Sequence, residues 1–173
     1  MDKIFDNWLD AQHEQGGALS ESSDVVELIR LHRQLFVVRF HCKGLVEEGG
    51  GVVGERELFE VGYRFGDDYL RCVNPAEVVT WLRPGNVFHP NIMPPLCCLG
   101  GIMPGTSLVE LIYRTYEVIS YQNVMPDERD ALNSAACCWA RKHRKRFPLD
   151  DRPLKRRGGR GTKVSVEVLG VSE

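Results

Sequence analysis

Phe88-His89-Pro90-Asn91-Ile92-Met93-Pro94-Pro95-Leu96-Cys97-Cys98-Leu99-Gly100-Gly101 is the stretch that divides this chain. It has no period of its own, and Pro94-Pro95 argues against regular strand pairing within it. Before it, apolar residues alternate. After it, they recur at helical spacing. Working upstream, 78–82 reads as a strand closed by Pro84-Gly85, and 58–65 alternates up to the turn at Gly66-Asp67-Asp68. Residues 36–42 place Phe36, Val38, Phe40 and Cys42 on one side of a further strand. Glu48-Gly49-Gly50-Gly51 is a loop, and no Gly-Lys-Ser/Thr follows to make it a phosphate cradle. Short connections between these strands predict an antiparallel meander.

Ahead of the strands, Ser22-Ser23-Asp24 with Glu27 is a helix-start signal. Val25, Leu28, Ile29, His32 and Leu35 then share one helical face, so a helix over about 24–35 is expected, with His32 at the core edge. Residues 1–23 form a polar leader. Its single apolar cluster, Ile4, Phe5, Trp8 and Leu9, suits a short surface helix ended by Gly16-Gly17. Downstream of the divide, Ser107-x-x-Glu110 is a capping box, and Leu108, Leu111, Ile112, Thr115 and Ile119 predict a buried helix. Residues 121–133 form an acidic loop. Asn133 caps a further helix that runs out in Arg141–Arg146 and stops at Pro148. Residues 148–163 read as linker, and 163–171 as a short terminal strand. The order predicts an α+β fold with helices packed on a sheet.

The chain has 173 residues, of which 43% are hydrophobic and 27% charged, enough to build a core. It shows no membrane-length apolar run and no secretory signal, so an intracellular protein with reduced thiols is expected. Cys42, Cys72, Cys97, Cys98, Cys137 and Cys138 include no C-x-x-C pair, which speaks against zinc. Cys42, Cys137 and Cys138 read as small buried side chains. The net charge of −2 hides an asymmetry: residues 141–163 carry 11 of the 22 Lys and Arg against two acids, and the remainder carries −11. Basic residues at a helix C-terminus suit its dipole. The rest of the run reads as a solvated tail, as a contact for an acidic protein, or, through Arg157-Gly158-Gly159-Arg160, as a nucleic-acid contact.

Four segments, in order, resemble the ubiquitin-conjugating enzyme family. They are Phe65-Gly66-Asp67-Asp68-Tyr69 followed by Pro75-Ala76-Glu77-Val78-Val79-Thr80-Trp81, then Phe88-His89-Pro90-Asn91-Ile92, then Cys98-Leu99, and finally Asp130-Ala131-Leu132-Asn133 with Ala135-Ala136. They span about residues 24–147. The chain departs from the eukaryotic pattern: Asn91 to Cys98 is about one residue short, the loop after Cys98 is shortened and lacks the usual tryptophan, and Tyr69 is followed by Leu70. In this it looks most like the bacterial ubiquitin-conjugating-like proteins of ubiquitin-like conjugation operons.

The resemblance implies a ubiquitin-conjugating fold, with a four-stranded antiparallel meander, an N-terminal helix and C-terminal helices. It implies a catalytic domain at 24–147 between the 1–23 leader and a basic 148–173 extension. The partners it implies are a ubiquitin-like modifier, an activating enzyme and a JAB-type deconjugating protease, in a cytoplasmic pathway with an anti-phage role. No cofactor, metal or membrane enters the reaction. Cys98 would be the nucleophile, with Cys97 as the alternative, because neighbouring side chains in extended backbone point opposite ways. Asn91 would donate to an oxyanion or hold its loop, and His89 would be structural. Asp130 would orient the incoming amine, with Asp127 and Glu128 as nearby alternatives. Phe65 would contact a ligase or close the core. Arg141 and Lys142 would meet an acidic partner. A noncatalytic scaffold binding the modifier is the alternative from another class, and a nucleic-acid module using the tail is a third.

Overall fold

The computed structural model describes residues 2–125 and 127–156. The chain opens with α1 (Lys3–Glu21), whose N-cap Asp2 accepts a hydrogen bond from the Ile4 amide at 2.9 Å. Phe5, Leu9, Gln12, Gly16 and Leu19 form its buried face. One face of α1 is therefore part of the core, and the expected short surface helix is corrected. Gly16 does not end the helix. A Cβ there would lie 2.9 Å from Leu28 Cδ2 and 3.2 Å from Leu108 Cδ2, so the glycine marks a close crossing.

The helix expected over 24–35 is also corrected. Ser23 Oγ does accept from the Val25 and Val26 amides, at 3.0 and 3.2 Å, but the turn it makes leads into strand β1 (Val26–His32). β1 pairs antiparallel with β2 (Leu35–Phe40) across a tight turn at Arg33-Gln34. Val26 and Ile29 favour extended backbone, and pairing with β2 decides between two periods that a short apolar run cannot separate.

A hairpin follows, β3 (Gly44–Glu48) and β4 (Val52–Arg56), where only a glycine loop was expected. Gly50 and Gly51 form its tip at φ of +81° and +78°. β5 (Phe59–Arg64), the short helix α2 (Pro75–Val78) and β6 (Val79–Arg83) continue the main sheet. Its order is β1-β2-β5-β6-β8-β7, every pair antiparallel, with β7 (Ile92–Met93) and β8 (Leu96–Cys97) added at the β6 side. Phe36, Val38, Phe40, Phe59, Val61, Tyr63 and Trp81 fill the core with α1 and α3 (Leu108–Ile119). Tyr63 donates to Thr115 Oγ1 at 2.7 Å, which satisfies the buried phenol.

α4 (Ser134–Lys142) and a 3₁₀ turn (Arg144–Arg146) cover a second cluster of Leu45, Phe88, Tyr121, Ala136 and Ala140. Residues 148–156 were expected as linker, yet they form a strap with Asp150 and Leu154 buried. The Arg156 amide donates to Ser22 O, closing the strap onto the end of α1. The strand expected at 163–171 lies outside the described residues. The protein is thus α+β, an N-terminal helix and further helices on an antiparallel sheet. No helix among the described residues is long and apolar enough to cross a membrane.

Candidate functional site

Pro94 and Pro95 do not abolish pairing; they form the turn of a two-residue hairpin. Ile92 pairs with Cys97 and Met93 with Leu96, while Leu96 pairs with Thr80 of β6. Proline lacks a donor, and here only a carbonyl is needed: Pro95 O accepts from the Trp81 amide at 2.8 Å. The expectation of an unpaired stretch is corrected to that extent. Cys97 therefore lies in the ladder, and Cys98 is the first residue beyond it.

Cys98 and Asn91 are joined twice. The Cys98 amide donates to Asn91 O at 2.8 Å, and Asn91 Nδ2 donates to Cys98 O at 3.2 Å. Asn91 Oδ1 accepts from the Met125 amide at 2.8 Å. The side chain of this 5%-exposed residue thus links the cysteine strand to the acidic loop. A primary amide has two N–H donors, so Asn91 keeps one for a further acceptor.

His89 Nδ1 accepts from the Asn91 amide at 3.0 Å, which puts the proton of the neutral ring on Nε2. Burial at 1% exposure lowers its pKa to about 3, so the ring is uncharged. It meets Tyr121 edge-on at 4.3 Å between centroids, and the Tyr121 hydroxyl donates to Phe88 O. His89 is a structural element of the turn, with no lone pair left for a general base.

The two cysteines differ. Cys97 is half-buried as a residue, but its side chain packs against the main core, and burial pushes its thiol up to about 12. Cys98 has the same intermediate exposure but lies just outside the ladder, followed by buried Leu99 and by Gly100 at φ +82°. The loop after it is clamped by Arg114, which donates to Gly101 O at 2.6 Å and pairs with Glu110 one turn earlier. Sequence reasoning missed Arg114, Met125 and Tyr121. The i,i+4 spacing of Glu110 and Arg114 was visible, but nothing local showed that the guanidinium reaches a loop carbonyl.

The acidic loop is tied to the same turn at two points, the Met125 amide on Asn91 Oδ1 and the Asn133 amide on Pro90 O at 3.2 Å. Asn133 also caps α4 through the Ala136 amide at 3.0 Å. Between the ties, Asp127 pairs with Arg129 at 2.9 Å, whose side chain and amide hold its carboxyl below the usual range, and Glu128 pairs with Arg141 at 2.8 Å. Asp130 is exposed, and its carboxylate makes no ion pair among the described residues. That leaves it the free acid of the three.

Phe65 requires a correction. It is 0% exposed and packs among Trp8, Phe36 and Tyr69, with ring centroids 5.0, 5.9 and 4.8 Å away. A partner-contacting role would need the aromatic cluster under α1 to open. Arg141 and Lys142 are both exposed at the end of α4, Arg141 already paired with Glu128. His89, Asn91 and Cys98 thus share one hydrogen-bonded turn, Asp130 sits on the loop tied to it, and Phe65 belongs elsewhere. Among the described residues no three His, Cys, Asp or Glu side chains converge to hold a metal ion. In comparisons with known proteins, no family model matches the chain, and no curated protein matches it.

Proposed function

We propose that this chain is a ubiquitin-conjugating-like enzyme that carries the C-terminus of a ubiquitin-like modifier as a thioester on Cys98 and passes it to an amine. The observation that carries the reading is a partly exposed cysteine just past β8, hydrogen-bonded in both directions to the asparagine of His89-Pro90-Asn91. The order of family-like segments and the α+β layout support the ubiquitin-conjugating fold.

In the first step the Cys98 thiolate adds to the modifier's terminal carbonyl on the activating enzyme. The oxyanion collapses and expels the activating enzyme's thiolate. One thioester replaces another, so positioning matters more than a strong base. The uncharged, buried His89, its Nδ1 taken by the Asn91 amide, suits that requirement. The remaining N–H of Asn91 is available to the oxyanion, a donor whose loss typically costs about 10²–10³ in rate. In the second step an amine attacks, the Cys98 thiolate leaves, and the ammonium proton passes to a base. Asp130, which pairs with no arginine among the described residues, is the candidate to receive it. The pathway is proposed to be bacterial and cytoplasmic, where thiols stay reduced, with an anti-phage role and a JAB-type protease as a further partner.

Incubation with activating enzyme, modifier and ATP is expected to give a thiol-sensitive adduct, kept in Cys97→Ala and lost in Cys98→Ala. An adduct that survives Cys98→Ala and vanishes in Cys97→Ala reverses the assignment. An intact fold that binds the modifier without ever forming the adduct replaces catalysis with the scaffold reading.

A further inference from the structure

The loop at Val124-Met125 and the inner side of α4 leave a cavity of about 240 Å³ between them. Its lining includes Val124, Met125, Ala140 and Phe147, with Arg141 and Arg144 as its charged members. Drug-sized ligands occupy roughly 300–1,000 Å³, so this space fits a single large side chain. Both arginines are exposed. Arg141 is already neutralised by Glu128, whereas the Arg144 side chain makes no ion pair among the described residues. Lys142 and Lys145 are exposed beside it, and α4 points its C-terminal end here. Arg146 is engaged with Glu55 at 3.0 Å and lies over the Trp139 ring.

From the apolar cavity and the exposed Arg144 guanidinium beside it, we infer that this corner of the molecule docks an acidic protein segment, one large aliphatic or aromatic side chain entering the cavity and a neighbouring carboxylate meeting Arg144. Charge complementarity selects the occupant. A basic segment would face the like charges of Arg144, Lys142 and Lys145, which outweigh the attraction of the α4 C-terminus and of Glu128, already held by Arg141. An uncharged segment would leave the guanidinium unused. Arg can form two parallel bonds to a carboxylate, which adds direction to the attraction. Nothing in this inference needs Cys98 to carry a thioester, so it stands or falls separately from the proposed reaction.

The test uses the full chain, labelled for NMR, and three synthetic blocked hexapeptides: Glu-Glu-Leu-Phe-Glu-Glu, the same with every Glu changed to Lys, and the same with Leu-Phe changed to Ala-Ala. The first is expected to give saturable shifts centred on Val124, Met125, Ala140 and Phe147. The other two are expected to bind at least about tenfold more weakly, and Arg144→Glu to weaken the first by at least about tenfold. Arg144 is exposed and makes no ion pair among the described residues, so the variant is expected to keep the fold. Absence of saturation at millimolar peptide, equal binding of the basic peptide, shifts centred elsewhere, or an unchanged affinity in Arg144→Glu would each overturn the inference.

Discussion

His89 shows how one residue ties a local turn to the stability of the whole. The folded protein holds it neutral at a pKa of about 3, against 6.5 for an unperturbed imidazole. Between those values the unfolded chain binds the extra proton, so the term favours unfolding increasingly as pH falls. The slope approaches about 1.4 kcal/mol per pH unit below 6.5 and levels off near 3. Denaturant unfolding at pH 6.5, 5.5 and 4.5 should show this loss. His89→Asn, whose Oδ1 can still accept from the Asn91 amide, should show a flatter dependence; equal slopes in the two proteins would refute the burial account. At this scale the sequence was legible in part. Adjacent cysteines had to face opposite ways, and the structure packs Cys97 against the core. Phe65 was ambiguous from sequence because, besides nearby Tyr69, the aromatics that enclose it come from α1 and β2, and no local pattern reveals such distant neighbours.

At the scale of elements, α3 and α4 were readable because capping residues and a wide apolar face agree with one another. The strands at Phe36 and Phe59 were readable because alternation is strict. The region 24–35 misled because its apolar residues fit both periods, and only partnership with β2 selects one. The β3–β4 hairpin was missed because its buried run is short and does not alternate: Gly44, Leu45 and Val46 are all inside, while β4 stays largely exposed. Its entry depends on Gly44, where a Cβ would come within 2.6 Å of Phe59 Cζ and 2.9 Å of Ile119 Cγ2. Both neighbours are core residues with little room to move. Gly44→Ala is therefore expected to destabilise the fold by roughly 1–3 kcal/mol, as overpacking does. A denaturation midpoint equal to that of the parent would show that the hairpin can lift away from α3 at little cost.

Across the whole molecule, the charge asymmetry seen in the sequence is partly consumed by folding. Arg141 pairs with Glu128, Arg146 with Glu55, Arg152 with Asp150 and Arg156 with Asp24. Composition alone could not distinguish such internal pairing from a surface awaiting a partner. The Asp150 contact anchors the strap. At 7% exposure, its carboxylate accepts from Arg152, from the Lys43 amide and from the Tyr116 hydroxyl. Burial alone would raise its pKa, but these donors outweigh it and hold the group at about 2. Its stabilisation is thus fully present above the ordinary value of 3.8 and is lost as pH falls through about 2. Asp150→Ala should cost roughly 2–3 kcal/mol, less than a fully buried pair because Arg152 is half exposed. It should also expose 148–156 to proteolysis. An undiminished midpoint with unchanged protease resistance would show that Leu154 alone seats the strap.

The double attachment of Asn91 has a mechanical corollary. A single amide group fastens the cysteine segment on one side and the acidic segment on the other. Thermal drift of the two is therefore correlated, and the spacing between sulfur and carboxylate is buffered against the jitter of either loop.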